Sequence, residues 1–310
     1  MSGDLLNTAV SAARAGAEVL LRGFRREARD LTAKAEHDWV SAADRESEDA
    51  IAGVLRSRYP DHQVLGEEGG LQGAADSGFQ WIVDPLDGTT NFLRGLPFYC
   101  ISIACRQGAR TRVAVIYAPE RGELFTAEMG GGAFDGGERM QVSSRPGLRG
   151  AFLATGFPHQ ARGALGDYLQ AFGRIFRQAA SIRRCGAAAL DLAYTAAGIF
   201  DGFWEFRLSP WDTAAGALLI REAGGRVTNL DGGEEIFAGG NIVAGAPEVH
   251  RELLALLRQG VDEARLDIKA PPRSSGAAGS GAHRALDRAD RDAAFRLKSP
   301  RRRVREEIEV

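Results

Sequence analysis

The chain has 310 residues, 39 basic and 41 acidic side chains, 44% hydrophobic residues and 39 glycines. This is enough apolar material for one large core or two modest ones, and the longest apolar runs fall far short of the roughly 20 residues of a membrane span. Three cysteines without metal-ligand spacing exclude a disulfide framework and a Cys-rich metal site. No secretory leader is evident, because Asp4 follows the initiator closely and the first segment is amphipathic, so a cytoplasmic protein without membrane contact is expected. The charge is uneven. Residues 271–310 hold ten basic and six acidic side chains, which leaves a balance of −6 on the rest. An acidic body argues against a nucleic-acid-binding face as the main activity.

Leu5, Ala9, Ala12, Ala13, Gly16, Leu20 and Phe24 share one face of a predicted N-terminal helix. Ser41-Ala-Ala-Asp44 reads as a capping box for a second helix reaching Arg58. A short strand from Gln63 ends in the turn Gly66-Glu67-Glu68-Gly69, and the strand Trp81-Ile-Val is expected to break at Asp84-Pro85. Further strands are predicted at 99–105, 113–117 and 123–128. In the second half, strands at 152–155, 203–206 and 242–244 mix with helices at 165–178, 187–197, 212–223 and 247–258. Strands and helices alternate without a regular βαβ rhythm, which favours a layered mixed α+β fold over a Rossmann sheet. Residues 1–268 form the expected catalytic domain. From 269 the Pro-, Gly-, Ser- and Arg-rich composition cannot bury enough to offset ordering, so a disordered tail is expected.

Chemistry concentrates in Trp81-Ile-Val-Asp84-Pro85-Leu86-Asp87-Gly88-Thr89-Thr90-Asn91-Phe92. The turn can bring Asp87 back beside Asp84, and Gly88-Thr89 can open a helix whose free N–H groups suit an anion. Asp-Pro-x-Asp-Gly is also ordinary turn chemistry. Two further acids stand at element ends, Glu67 after a strand and Asp212 at the start of a helix, where each could equally be a solvated acid or an N-cap.

Trp81 to Phe92 and Trp211-Asp-Thr-Ala-Ala-Gly-Ala-Leu-Leu-Ile-Arg-Glu-Ala-Gly-Gly225 resemble the two signature motifs of the inositol monophosphatase family. Gly66-Glu-Glu-Gly and Arg184-Cys-Gly-Ala-Ala-Ala-Leu-Asp-Leu-Ala-Tyr194 sit in matching order. The similarity spans about residues 5–265 and is nearest to the bacterial inositol-1-monophosphatase group. It implies the alternating αβαβα sandwich of the sugar phosphatases, a homodimer, and a lithium-sensitive phosphatase releasing phosphate from inositol monophosphates.

By the same resemblance, Glu67, Asp84, Asp87 and Asp212, with the Leu86 carbonyl, hold two or three Mg²⁺ ions. Four ionised carboxylates at a mean spacing of ~5 Å would repel by about 20 kcal/mol at an effective dielectric of 20, more than a typical domain stability of about 5–15 kcal/mol, so protons or cations must relieve them. Oxygen ligands without His or Cys select a hard ion. Glu67 and Thr89 are the implied water-activating pair, with Asp44 bonded to the threonine and also completing the capping box. The implied substrate contacts are Asp87, Gly88, Thr89, Gly186, Ala187, Ala188 and Glu205. Arg207 stands where the nearest relatives usually carry glycine; contact with a phosphate, a narrowed pocket and an outward side chain all fit. Alternative substrates are fructose 1,6-bisphosphate, histidinol phosphate and 3′-phosphoadenosine 5′-phosphate. Bacterial members also act with the transcription machinery, so RNA polymerase and antitermination factors are candidate partners.

Overall fold

The computed structural model describes residues 2–24, 42–73, 77–157, 165–237 and 239–259. Ser41 of the expected capping box and the expected tail lie outside them. The chain divides into Met1–Ile268 and Lys269–Val310, and all the described residues belong to the first unit.

Two sheets alternate with three helical layers, as expected. Helices α1 (Ser2–Gly23) and α2 (Ala42–Arg58) cover one face of an eight-stranded sheet. Its strands are β1 (Gln63–Gly66), β2 (Gly70–Gln72), β3 (Phe79–Asp87), β4 (Cys100–Gln107), β5 (Arg110–Ala118), β6 (Glu123–Glu128), β7 (Gly132–Asp135) and β8 (Glu138–Arg139), in the order β2-β1-β3-β4-β5-β6-β7-β8. The second sheet runs β10-β9-β11-β13-β12, from β9 (Phe152–Thr155), β10 (Ser181–Arg183), β11 (Gly202–Glu205), β12 (Arg226–Thr228) and β13 (Ile242–Gly245). Helices α5 (Ala188–Ala196) and α6 (Pro210–Glu222) lie between the sheets, and α4 (Leu165–Phe176) and α7 (Pro247–Arg258) cover the far side. The short helix α3 (Thr89–Leu93) follows β3.

The layering follows from strand periodicity. Side chains alternate between the two faces of a strand. Ile101, Ile103 and Cys105 of β4 and Val113 and Val115 of β5 therefore meet α1 and α2. Cys100, Ala104, Ala114 and Ile116 face α5 and α6, where Ala188, Ala189, Ala193, Ala214, Ala215 and Ala217 allow close packing. In the second sheet Phe203, Ile242 and Ala244 join that middle layer, while Leu153, Trp204 and Val243 face α4 and α7.

Three expectations require correction. β3 does not stop at Asp84-Pro85 but runs to Asp87, with a register shift against β4 between Asp84 and Asp87. Proline lacks a ladder donor and is tolerated at such an irregularity; the Pro85 carbonyl accepts from Ser47 Oγ at 3.1 Å. Helix α6 begins at Pro210, with Ser209 as its N-cap, so Asp212 is the third helical residue rather than the cap. The second sheet also contains two βαβ connections, since β9 pairs in parallel with both β10 and β11 and these are reached through α4 and α5.

Candidate active site

Three elements deliver the four acids. Asp84 and Asp87 come from the irregular end of β3, Asp212 from the first turn of α6, and Glu67 from the turn after β1. One ligand oxygen from each of Asp84, Asp87 and Asp212 lies within 4.8 Å of the others. Asp84 and Asp87 are buried, Asp212 is half-buried, and Glu67 stands at an exposed rim beside them. The fold thus brings together acids up to 145 positions apart in the chain.

Local hydrogen bonds explain why each acid points as it does. Asp84 Oδ1 accepts from the Leu86 N–H at 3.0 Å, which folds the turn back on itself. Asp87 accepts from the N–H groups of Ala188 at 3.2 Å and Ala189 at 2.7 Å, at the start of α5, where a negative charge is favoured by the helix dipole. Asp212 Oδ2 accepts from the Ser209 N–H at 2.6 Å, closing the capping box. Gly88 has φ 93°, and a Cβ there would lie 3.0 Å from the Phe98 carbonyl oxygen, so both backbone and space require glycine.

Helix α2 organises the opposite wall with three polar contacts at helical spacing. Thr89 Oγ1 donates to Asp44 Oδ1 at 3.2 Å and lies 3.1 Å from the Leu86 carbonyl oxygen. Ser47 holds the Pro85 carbonyl. Glu48 accepts from the N–H groups of Glu68 at 2.9 Å and Gly69 at 2.7 Å, which anchors the loop that presents Glu67. Ser47 and Glu48 were missed in the sequence. The available signal was polar residues at i, i+3 and i+4 continuing the stripe of Ile51 and Leu55, where an ordinary core-facing stripe would carry apolar ones.

The electrostatics are those of a crowded anionic site. Burial, then the charges of Glu67, Asp87 and Asp212, hold the Asp84 carboxyl well above the usual carboxylate range. Burial and Asp87 push Asp212 up to about 7. Desolvation beside the other carboxyls, with Asp212, pushes Glu67 up to about 8. Asp87 rises only to about 6, because the α5 N–H groups oppose its burial. Contrary to expectation, a cysteine adjoins the cluster: Cys100 Sγ lies 3.7 Å from Asp87 Oδ2. Burial first, and then Asp87, raise its thiol far above neutrality, so Cys100 stays protonated and donates to the carboxylate rather than competing as a thiolate.

Glu205 and the loop before α5 stand close to the same acids. Glu205 ends β11, and burial together with Asp212 and Asp191 raises its carboxyl well above the usual range, while Arg184 opposes the rise. A Cβ at Gly156 would lie 1.8 Å from Glu205 Oε1, so that glycine makes room for the acid. Gly186, at φ 90°, and Ala187 precede α5; Asn91 Nδ2 ties this loop to the motif by donating to the Cys185 carbonyl at 2.9 Å and to that of Phe98 at 2.7 Å. The Cys185 thiol is pushed up to about 12, first by burial and then by Asp191, which fits packing rather than nucleophilic attack. Arg207 has φ 64° and is the one non-glycine in the left-handed region among the described residues. That backbone accounts for a glycine preference at this position; an arginine bears a strain of about 1 kcal/mol there. Its N–H donates to Asn241 Oδ1 at 3.2 Å.

Comparisons with known proteins agree with this geometry. The model of the "Inositol monophosphatase family" matches residues 2–263. The chain is 45% identical over 261 residues to the Nus factor SuhB of Escherichia coli, covering 84% of this chain and 98% of that one. It is 45% identical over 257 residues to the inositol-1-monophosphatase of Mesorhizobium japonicum, covering 82% and 96%. The crystal structure of the extragenic suppressor protein suhB from Bartonella henselae superimposes with a TM-score of 0.79 at 43% identity, covering 83% of this chain and all of that one. A nearly full-length family match, laid over acids that converge from separate elements, places the chain in the inositol monophosphatase family.

Proposed function

We propose that the protein is a Mg²⁺-dependent phosphomonoesterase that releases inorganic phosphate from inositol monophosphates by direct attack of water. The observation that carries the reading is the convergence of Asp84, Asp87 and Asp212 within 4.8 Å beside Glu67 and the Thr89–Asp44 pair. The donor set suits a hard divalent cation: it is all oxygen, it is crowded enough to hold protons without a cation, and its neighbouring thiol stays neutral. Asp84, Asp87, Asp212, Glu67 and the Leu86 carbonyl would hold two or three such ions, which when bound lower the pKa of a coordinated water and neutralise charge on the departing ester oxygen.

The chain's own groups perform the remaining work. Asp44, buried on α2, accepts a hydrogen bond from the Thr89 hydroxyl and so leaves the threonine oxygen with a lone pair toward the water. Glu67, held by the loop that Glu48 anchors, receives the water's proton. The Gly88 and Thr89 N–H groups bind the phosphoryl oxygens, and the glycine conformation allows the close approach. Glu205, Gly186, Ala187 and Ala188 form the wall for the inositol ring, and Glu205 accepts from a ring hydroxyl.

A phosphate-release screen over inositol monophosphates, fructose 1,6-bisphosphate, histidinol phosphate and 3′-phosphoadenosine 5′-phosphate, with and without Mg²⁺, checks the reading. Inositol monophosphate should give the highest kcat/KM, and EDTA should abolish release; preference for another substrate replaces the substrate assignment. The family resemblance carries the further expectations of a homodimer, lithium inhibition and a cytoplasmic location, and among the described residues no helix is long and apolar enough to cross a membrane. The 45% identity to a Nus factor supports a second role, contact with RNA polymerase and antitermination factors alongside catalysis. Failure of the tagged protein to co-purify with RNA polymerase would count against it.

A further inference from the structure

Helix α6 carries Asp212 in its first turn and Arg221 in its last, about 13 Å further along the axis. β4 runs beside it: Ser102 Oγ donates to the Trp211 carbonyl at 3.0 Å near the acids, while Arg106 lies four residues on, about 13 Å away. Between these far ends is a cavity of about 540 Å³, within the range of small-molecule sites. Its lining includes Arg106, Arg110, Arg221, Met129, Leu218 and Phe237, and none of the residues assigned above to catalysis or inositol contact.

The charges here are balanced in number but not in hydrogen bonding. Three acids, Glu222, Glu234 and Glu235, also line the cavity. The Glu222 carboxylate is engaged by the N–H groups of Gly130 at 2.8 Å and Gly132 at 2.9 Å, and Glu235 Oε1 by that of Phe237 at 2.9 Å. The guanidiniums are less well satisfied. Arg106 lies over the Phe237 ring at 4.5 Å and donates through Nη2 to the Ala109 carbonyl at 3.3 Å, while its buried Nε–H has no hydrogen-bond partner among the described residues. Arg221 is exposed at the end of α6, and its guanidinium makes no hydrogen bond among the described residues; partial burial lowers its pKa and exposed Glu234 opposes the effect. A buried donor left unmade is costly, and a guanidinium without a hydrogen-bond partner favours an anion that accepts through two oxygens. Phosphate takes several guanidinium forks at once. Phe237, Met129 and Leu218 add apolar and aromatic surface for a ring.

We propose that this cavity is a second binding site, which takes an aromatic monophosphate of mononucleotide size, its phosphate on Arg106, Arg110 and Arg221 and its ring against Phe237, Met129 and Leu218. The site is separate from the phosphatase centre and does not depend on the reading of that centre.

Isothermal titration of the full chain with adenosine 5′-monophosphate in EDTA, where hydrolysis is prevented, tests it. Binding is expected with a dissociation constant on the order of 0.1–1 mM, with adenosine and inorganic phosphate each at least about tenfold weaker. Arg106→Gln and Arg221→Gln should each weaken binding by about fivefold or more, while Asp87→Asn leaves it unchanged and Arg106→Gln retains phosphatase turnover. Arg110 is exposed, so Arg110→Glu reads the same loss in a variant that keeps its fold. No heat with adenosine 5′-monophosphate at millimolar concentration, binding indifferent to all three arginine substitutions, or binding lost in Asp87→Asn would each overturn the proposal.

Discussion

Asp87→Asn should lower kcat for inositol monophosphate by about three orders of magnitude or more, a loss of about 4 kcal/mol of transition-state stabilisation. Asp87 contributes an oxygen to the three-acid cluster, and both of its oxygens are aimed by the α5 N–H groups of Ala188 and Ala189. An asparagine keeps one acceptor for those N–H groups and removes the charge that a divalent cation needs. The fold should survive, because the substitution also removes repulsion against Asp84 and Asp212. Thermal unfolding of the metal-free variant should therefore fall within about 3 °C of the parent, since about 1 kcal/mol moves a domain of this size by roughly 2–4 °C. Turnover near the parent's would show that Asp87 is not a metal ligand, whatever the melting curve.

Metal removal should make stability fall as pH rises, the reverse of ordinary acid denaturation. Burial and mutual repulsion raise Asp87 to about 6 and Asp212 to about 7 in the folded protein, whereas the unfolded chain keeps ordinary carboxyls near 3.9. Between about pH 4 and pH 7 the folded state therefore binds more protons than the unfolded state. By linkage the unfolding free energy decreases across that window. One unit of displacement in pKa corresponds to about 1.4 kcal/mol, so these two acids, displaced by about 2 and about 3 units, together cost the metal-free fold about 7 kcal/mol by pH 8, about 4 kcal/mol of it above pH 5. Glu67 stands at the solvent-exposed rim, where screening leaves it a small share. Melting temperature in EDTA should drop by about 8–16 °C from pH 5 to pH 8, and saturating Mg²⁺ should restore most of it at pH 8 but little at pH 5. A flat profile, or equal gains from Mg²⁺ at both pH values, would contradict cation relief of the acids.

The four acids were legible through the family motifs rather than through local signals alone. Glu67, Asp84, Asp87 and Asp212 each stand beside a turn glycine, a proline or a helix start, signals that by themselves fit a turn, a solvated acid or an N-cap equally well. The layered architecture was legible in local patterning, since strands such as β5 alternate Val113 and Val115 with Ala114 and Ile116. What escaped depended on contacts distant in the chain. β3 continues through Pro85 because Ser47, 38 positions earlier, takes its carbonyl. Cys100 reaches Asp87 only because β4 pairs with the end of β3. The two- and three-residue strands β2, β8, β10 and β12 are too short to carry a periodicity. Arg207 shows the limit from the other side: the residue type argues against a left-handed backbone, yet the ladder between β11 and β13 and the Leu208 N–H bond to the Gly240 carbonyl at 2.8 Å impose it.

The central proposition, that Asp84, Asp87, Asp212 and the rim glutamate exist to hold divalent cations, is tested most directly by anomalous diffraction from crystals soaked in Mn²⁺ as a Mg²⁺ substitute. Anomalous peaks should appear within ordinary oxygen-ligand distance, about 2.0–2.4 Å, of carboxyl oxygens of Asp84, Asp87 and Asp212, with Glu67 on at least one ion. A saturated soak that leaves those carboxyls without a peak between them would contradict it.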